Sequence, residues 1–229
     1  MADGSVFGER RTLYGRSRGK LLRPGQQRLL TEVLPQVEFA PEALASPALF
    51  PFDPREVWLE IGFGSGEHLI ERARAGPQVG LIGCEPFLNG VVAALSGIER
   101  ENLVNVRLRR GDAQAVVEAA PHAFFSRVFI HYPDPWPKRR HHKRRVISHA
   151  MVEALARVVK PGGELRFVTD IDDYAGWTLR RFIASPHFRW TASSAADWRT
   201  PWPDWGQTRY EAKARRAGRA SVYLTFVRL

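Results

Sequence analysis

The sequence predicts a doubly wound α/β fold built on a mostly parallel β-sheet. From residue 57 onwards, short apolar runs of strand length alternate with segments of helical periodicity. Strands that alternate with helices pair in parallel, and the intervening helices cover both faces of the sheet. In such sheets, ligands bind outside the carboxyl ends of the strands.

The predicted elements are defined by where each apolar run stops. The first strand ends in a glycine turn that leads into a helix, and the second strand leads into a helix of its own. The third strand ends at Gly111-Asp112, a long polar loop follows the fourth, and Pro161-Gly162-Gly163 is the turn before the fifth. The predicted strands are residues 57–61, 79–85, 104–108, 127–131, 164–169 and 220–227. The predicted helices are residues 26–37, 67–75, 88–98 and 146–159, and residues 41–54 are expected to form a loop.

The charge balance predicts a polyanionic partner. The 229 residues include 34 basic and 24 acidic side chains, so the net charge is +10 and the pI is about 10.4. This excess favours nucleic-acid binding and says nothing about the fold. A basic membrane-surface protein is the alternative, but the sequence has no amphipathic helix with a lysine- and arginine-rich face.

Cysteine content and hydropathy favour a cytoplasmic protein. Cys84 is the single cysteine, which excludes a disulfide framework and a cysteine-based metal site. Residues 1–20 lack the apolar core of a signal peptide, and no apolar run approaches the length of a membrane span.

Residues 1–28 are expected to be a basic, flexible arm that orders on a partner, followed by one folded domain over residues 29–229. The arm is poor in apolar residues and has only Asp3 and Glu9 as acids. Its basic residues are Arg10, Arg11, Arg16, Arg18, Lys20, Arg23 and Arg28.

A glycine-rich turn and three carboxylates predict a nucleotide-like site. The turn after the first strand is Gly62-Phe63-Gly64-Ser65-Gly66, whose glycines allow the backbone to approach a ligand closely. Glu85 ends the second strand, at the spacing where an acidic residue accepts from ribose hydroxyls. Asp112 follows the third strand, where a carboxylate accepts from an adenine amino group.

The pattern favours S-adenosylmethionine over a dinucleotide. The glycines run G-x-G-x-G, without the spacing of the dinucleotide fingerprint, and Glu60 lies at the turn, where a pyrophosphate would be repelled. A sulfonium ion with an amino group is attracted by that carboxylate. The pattern resembles the Rossmann-like class I methyltransferases. This resemblance implies that S-adenosylmethionine is bound by Glu60, Gly62, Gly64, Gly66, Glu85 and Asp112.

A proline-rich tip and a basic run follow the fourth predicted strand. Pro133, Pro135 and Pro137 fix φ around Asp134 and Trp136, which holds these two side chains in a rigid loop. Residues 138–145 then contain six basic residues and two histidines. A solvated charge run is the simple alternative, but this run adjoins a rigid carboxylate and aromatic tip at the cofactor-binding edge.

With these motifs the chain resembles the bacterial tRNA (guanine-N7)-methyltransferase family. The resemblance rests on Pro-Asp-Pro-Trp-Pro-Lys with the following His-His-Lys-Arg-Arg, on the glycine turn, and on Gly-Cys-Glu-Pro at residues 83–86. It extends to Gly-Asp-Ala at 111–113, to Phe-Val-Thr-Asp at 167–170, and to Thr-Arg-Tyr-Glu at 208–211. Tyr210 stands where the family usually has phenylalanine, which keeps the aromatic ring.

The resemblance implies a role for each matching residue. Asp134 is implied to be catalytic and adjacent to the cofactor. The implied substrate-binding residues are Lys138, Asp170, Thr208, Arg209, Tyr210 and Glu211. The implied RNA-binding residues are Arg139, Arg140, Lys143, Arg144 and Arg145. The modified guanine is implied to lie in the variable loop of tRNA.

The chemistry of guanine N7 fits a carboxylate that does not act as a base. N7 carries a lone pair and no proton, and the methylated ring is cationic, so alignment and negative charge matter most. Asp134 can accept from the N1–H and N2–H₂ edge of guanine, and Asp170 can do the same from the next strand. Trp136 either stacks on an extruded base or packs within its loop.

Several alternatives stay open. His131, His141 and His142 have no cysteine or carboxylate set at ligand spacing, so no metal site is predicted, and the three histidines are expected to contact phosphate or solvent. Rival functions are a methyltransferase acting on another RNA base or target, a binding module with an inactive pocket, and a dinucleotide oxidoreductase. The sequence allows a monomer or a homodimer.

Overall fold

The structure is a computed structural model that describes residue 17, residues 19–206 and residues 208–229. The strands are β1 (Glu56–Ile61), β2 (Val79–Cys84), β3 (Val106–Arg109), β4 (Phe125–His131), β5 (Val159–Thr169), β6 (Phe188–Trp190) and β7 (Val222–Arg228). In this part of the chain they form one sheet in the order β3-β2-β1-β4-β5-β7-β6. β1 to β5 pair in parallel, and β7 lies antiparallel between β5 and β6. The predicted doubly wound, mostly parallel sheet is therefore confirmed.

Helices pack on both faces of the sheet. They are α1 (Pro24–Arg28), α2 (Leu34–Val37), α3 (Glu67–Ala75), α4 (Leu88–Arg100), α5 (Ala113–Ala119), α6 (His149–Val158), α7 (Asp172–Ala184), α8 (Ala196–Arg199) and α9 (Arg209–Arg216). One apolar cluster joins α3 and α4 to Leu81 of β2, and another joins α5, α6 and α7 to Ile82. Because successive strand residues point to opposite faces, the two clusters lie on opposite sides of the sheet. Among the helices of the described residues, none is long and apolar enough to cross a membrane.

Most predicted elements are present with shifted ends. The helix predicted for residues 67–75 has those bounds. The helix predicted from residue 146 begins instead at His149, because the Ser148 side chain accepts a backbone amide hydrogen bond and caps it. β5 begins at Val159, before the expected turn, since Val159 pairs with Phe125 across an irregularity in the ladder. The elements α5, α7, α8, α9 and β6 are absent from the sequence prediction.

The N-terminal helical segment packs beside α4. The helix predicted for residues 26–37 is present as α1, a π-helical turn (Leu29–Val33) and α2, and the expected loop over residues 41–54 contains two 3₁₀ turns. Most of the expected basic arm, residues 1–16 and residue 18, lies outside the described residues. Of its described part, Gly19 donates to Asn89 Oδ1 at 2.8 Å, and Arg28 pairs with Glu99 at 2.6 Å.

The segment that precedes α9 packs on the α3 side of the sheet. Trp205 contacts the ring of His131, with centroids 5.0 Å apart, and Trp202 contacts Tyr223 at 5.5 Å. Between the two tryptophans, Asp204 accepts from Arg166 at 2.8 Å. These contacts hold the beginning of α9 beside the turn that links β1 to α3.

Candidate active site

Three glycines shape the turn between β1 and α3. Gly62, Gly64 and Gly66 have φ angles of 76°, 58° and 77°, a region that glycine adopts with least strain. A Cβ on Gly66 would lie 2.8 Å from the Cβ of Ala94, so α4 packs directly against the turn, whereas Gly62 faces open space. The turn therefore presents bare backbone at the carboxyl edge of the sheet.

Glu85 ties this turn to the end of β2. Its Oε2 accepts from the Gly64 amide at 2.8 Å, and its Oε1 accepts from the Phe87 amide at 2.8 Å. Burial raises the pKa of Glu85, and the carboxylates of Asp134 and Glu60 raise it further, while the two amide hydrogen bonds act in the opposite direction. The effect of these neighbours shows that three carboxylates from β1, β2 and the loop after β4 lie close together.

Asp112 lies next to Glu85 at the same edge. Its carboxylate caps α5 by accepting from the Gln114 amide at 3.0 Å. The preceding Gly111 amide donates to the backbone carbonyl of Glu85 at 3.2 Å. The structure thus brings Glu60, Glu85, Asp112 and the glycine turn to one edge, as expected for parallel strands.

Glu60 and His68 form a buried pair below the turn. Glu60 is 3% exposed, and its Oε2 lies 2.9 Å from Nδ1 of His68. His131 stacks edge-on against His68, with ring centroids 4.5 Å apart. Donor atoms of Glu60, His68 and His131 all lie within 4.8 Å of one another. Sequence reasoning missed His68, since nothing local marks its contact with a residue eight positions earlier.

The expected position of His131 is wrong. Its ring is buried against His68 and Trp205 and is not exposed as expected for a contact with phosphate or solvent, and burial lowers its pKa well below the usual value. Among the described residues, neither of its ring nitrogens has a hydrogen-bond partner. Glu60 and His68 lie beside His131 because β1, α3 and β4 meet at this point, although these elements are distant in sequence.

A cleft at this edge of the sheet is lined by Glu60, Gly62, Phe63, Tyr132, Thr208 and Tyr210. The proline-rich tip that begins after Tyr132 carries Asp134 at the mouth of this cleft. Tyr132 and Trp136 flank it with φ angles of 45° and 44°, which are unusual for residues with side chains. The Tyr132 hydroxyl lies 2.7 Å from Ser221 Oγ. The backbone amide of Tyr132 donates to the Val168 carbonyl at 2.8 Å. The Asp134 side chain reaches solvent, yet partial burial of its carboxyl group raises its pKa.

The basic run forms a 3₁₀ turn (Arg139–Arg144) whose side chains diverge. The Arg144 guanidinium lies 4.9 Å above the Trp136 ring, and His141 meets that ring edge-on, so Trp136 packs within its own loop. Arg145, which was expected to bind RNA, has a completely buried side chain and is not part of the exposed basic surface. The residues of the run that remain exposed are Lys138, Arg139, Arg140 and Lys143.

Apart from Lys138, the residues expected to bind substrate lie after β5 and at the beginning of α9. Asp170 follows β5 and pairs with Arg219 at 2.7 Å, a partner that no local signal indicates. Thr208 caps α9 by accepting from the Glu211 amide at 3.2 Å. The ring of Tyr210 lies against the glycine turn, 3.4 Å from the position of a Cβ on Gly64.

Arg209 and Glu211 are held on opposite sides of α9. Arg209 is exposed, and its Nε lies 3.6 Å from Glu67. Glu211 is 3% exposed and accepts from Trp205 Nε1 at 2.8 Å and from the Tyr223 hydroxyl at 3.2 Å. The Glu211 carboxylate therefore orders α9 and β7, while Tyr210 faces the cleft.

This strand order, with a glycine turn and acidic residues at the carboxyl edge, defines the chain as a methyltransferase of the class I fold. Residues 54–224 match a family model described as "Putative methyltransferase". The antibiotic-resistance methyltransferase Kmr is 20% identical with a TM-score of 0.54, covering 77% of this chain and 88% of its own. TrmN from Thermus thermophilus is 16% identical with a TM-score of 0.54, covering 91% of this chain and 55% of its own. At this identity the two structures support the fold alone.

Curated relatives define the family more narrowly. A tRNA (guanine-N(7)-)-methyltransferase of Nitrobacter hamburgensis is 48% identical, covering 95% of this chain and 86% of its own. Its counterpart in Azorhizobium caulinodans is 49% identical, covering 94% of both chains. The chain belongs to the tRNA (guanine-N(7)-)-methyltransferase family.

Proposed function

We propose that the protein transfers the methyl group of S-adenosylmethionine to N7 of a guanine in tRNA, in the variable loop. The observation that carries this proposal is the convergence of Glu60, Glu85 and Asp134 beside the glycine turn, next to an exposed basic surface. Relatives at 47% to 49% identity bear this activity in their names.

The carboxylate cluster suits a cationic cofactor. Burial raises the pKa of Glu85, and the negative charges of Asp134 and Glu60 raise it further. A ligand with a sulfonium and an ammonium group relieves this repulsion. Each carboxylate oxygen has two lone pairs, so Glu85 can accept from ribose hydroxyls while it holds the Gly64 and Phe87 amides. Asp112 is proposed to accept from the adenine amino group.

Asp134 is proposed to act on guanine by charge and position. S-adenosylmethionine supplies an electrophilic methyl group on a positively charged sulfur. The attacking N7 has no proton to lose, so no general base is needed. The Asp134 carboxylate orients the guanine by accepting from its N1–H and N2–H₂ groups, and it stabilises the positive charge that develops on the ring. Its position at the cleft mouth is compatible with both roles.

The surrounding residues are proposed to recognise RNA. Lys138, Arg139, Arg140 and Lys143 are exposed beside the tip and would neutralise phosphates. Asp170 and Tyr210 reach the same edge from β5 and α9. A guanine inserted between the tip and α9 would thus meet two carboxylates and an aromatic ring.

The experiment is methylation of an unmodified tRNA transcript with purified protein and S-adenosylmethionine. Nucleoside mass spectrometry should detect N7-methylguanosine, and sequencing should place it in the variable loop. A transcript containing 7-deazaguanine, which lacks N7, is the matched control and should take up no methyl group. Methylation of another base, or of the 7-deazaguanine transcript, would refute the proposal.

A further inference from the structure

Arg145 is a charged residue with no access to solvent. Its side chain is 0% exposed, although it ends a run of otherwise surface-directed basic residues. Burial of a guanidinium group is costly unless its N–H groups are used. Its contacts therefore indicate why it lies inside.

These contacts join the catalytic tip to α7. Arg145 Nε donates to the backbone carbonyl of Pro135 at 2.8 Å, and its Nη2 donates to Asp173 in the first turn of α7. The guanidinium also lies over the rings of Tyr174 and Trp177, 4.8 Å and 4.9 Å from their centroids. The ion pair keeps the pKa of the Asp173 carboxyl below its usual range.

The prolines of the tip fix φ but leave part of its backbone freedom. Pro133 and Pro135 have no N–H group, so they donate no backbone hydrogen bond, and ψ of each remains free to vary. Trp136 is held at a φ of 44°, which costs energy for a residue with a side chain. The Pro135 carbonyl lies one peptide after Asp134, so a fixed donor at this carbonyl restrains the direction of the Asp134 side chain.

We propose that Arg145 is a positioning residue that fixes the Asp134 carboxylate through the Pro135 carbonyl and the first turn of α7. The proposal rests on the assignment of Asp134 as the catalytic group. Because its side chain is completely buried, Arg145 acts through Asp134 and not by contact with RNA. The backbone amide of Arg145 also donates to the backbone carbonyl of His142 at 3.0 Å, so the same residue ends the 3₁₀ turn of the basic run.

The first test is the kinetics of Arg145→Met, which keeps an apolar stem and removes the donors. Its single-turnover methyl-transfer rate should fall by about 100-fold, the scale of a misplacement of about 1 Å, with tRNA and cofactor affinities unchanged. Arg145→Lys should be intermediate, since one ammonium cannot reach both acceptors with the geometry of a guanidinium. Combined with Asp134→Asn, Arg145→Met should cause no further loss, because its target is already removed.

Arg157→Met is the matched control. Arg157 also donates to backbone carbonyls, those of Ala120 and Val117 at 2.6 Å, at the opposite edge of the sheet. It should lower the melting temperature and leave the single-turnover rate of the folded protein unchanged. A full additive loss in the double variant, or a normal rate in a folded Arg145→Met protein, overturns the proposal.

Hydrogen exchange tests the same inference without activity. The amides of Asp134 and Trp136 should exchange faster in Arg145→Met than in wild type or Arg157→Met. If Arg145→Met does not fold, Asp173→Asn should show the same acceleration at reduced size. Wild-type protein that makes no N7-methylguanosine would refute the proposed function, whereas unchanged exchange at the tip would refute the positioning role.

Discussion

The Gly64 amide donates a hydrogen bond of 2.8 Å to Oε2 of Glu85. The glycine turn after β1 and the acidic end of β2 are therefore one structural unit. A change in the turn alters the orientation of a carboxylate 21 residues away in sequence.

Gly64→Val should abolish S-adenosylmethionine binding while the protein stays folded. The φ of 58° disfavours a β-branched residue, and a Cβ there would press on the Tyr210 ring at 3.4 Å. Isothermal titration calorimetry measures the loss. Gly162→Val is the control, because Gly162 has a similar φ of 77° in open space away from the cleft. Equal cofactor affinity in folded Gly64→Val and wild-type proteins would contradict this placement.

Asp134→Asn should slow single-turnover methyl transfer by roughly two to three orders of magnitude, as does loss of one preorganised electrostatic group. The free energy of unfolding should not fall, because burial disfavours the ionised form of this carboxyl in the folded protein. Rapid-quench assays in H₂O and D₂O should show little solvent isotope effect in the wild type. A large isotope effect would indicate a general base, and a fully active variant would move the assignment to Asp170.

The pH dependence should follow the raised pKa values of Asp134 and Glu85. Because methyl transfer needs the ionised carboxylates, the acid limb of kcat/KM should lie above the ordinary carboxyl range. For stability the sign is opposite: a raised folded pKa contributes stability that is present below the unfolded pKa and lost as pH rises through the folded value. The melting temperature of Asp134→Asn should therefore rise relative to that of the wild type as the pH increases above about 4, the ordinary pKa of an aspartic acid. A difference in melting temperature between the two proteins that does not change with pH would contradict the raised pKa of Asp134.

Replacement of Arg139, Arg140 and Lys143 by alanine should weaken tRNA binding and reduce the salt slope of log K by up to about 3. These three side chains are exposed beside the tip, and cofactor affinity should not change. The control removes three basic residues near the opposite edge of the sheet, at Arg55, Arg74 and Lys160. An equal loss of affinity in both variants would show that only net charge matters.

Removal of divalent metals should leave the methyl-transfer rate unchanged. Glu60, His68 and His131 have a donor set that suits zinc, but the Glu60 carboxylate is hydrogen-bonded to His68 and is proposed to face the cofactor ammonium group. Protein dialysed against a chelator should keep its full rate, and elemental analysis should find no stoichiometric metal. One bound metal per chain, lost together with activity, would refute the prediction.

Local patterns were sufficient to predict six of the seven strands of the described sheet and its acidic edge. The glycine turn, Glu85 and Asp112 each lie at the end of an apolar run, and parallel strands bring such ends together. The same reasoning fails for α7, because Asp172–Ala184 carries scattered polar residues and packs through a few aromatic side chains.

The burial of His131 and Arg145 depends on partners far away in sequence. His131 is covered by Trp205, which lies in an irregular segment that no periodicity predicts. Arg145 belongs to a charge run that predicts a surface, but the Pro135 carbonyl, Asp173 and the aromatic residues of α7 hold its side chain inside. Side-chain contacts of this kind are set by tertiary packing, which one sequence does not reveal.

The position of β7 sets the order in which the sheet can be completed during synthesis. This strand follows every other described element in the chain, yet it lies between β5 and β6. Until residues 222–228 leave the ribosome, β5 has an unpaired edge and β6 lacks its partner among the described strands. The Tyr223 hydroxyl, which holds Glu211 at 3.2 Å, arrives with the same strand. A nascent chain can therefore pair β1 and β2, which lead into the glycine turn and Glu85, before the edge that supports α9 is complete.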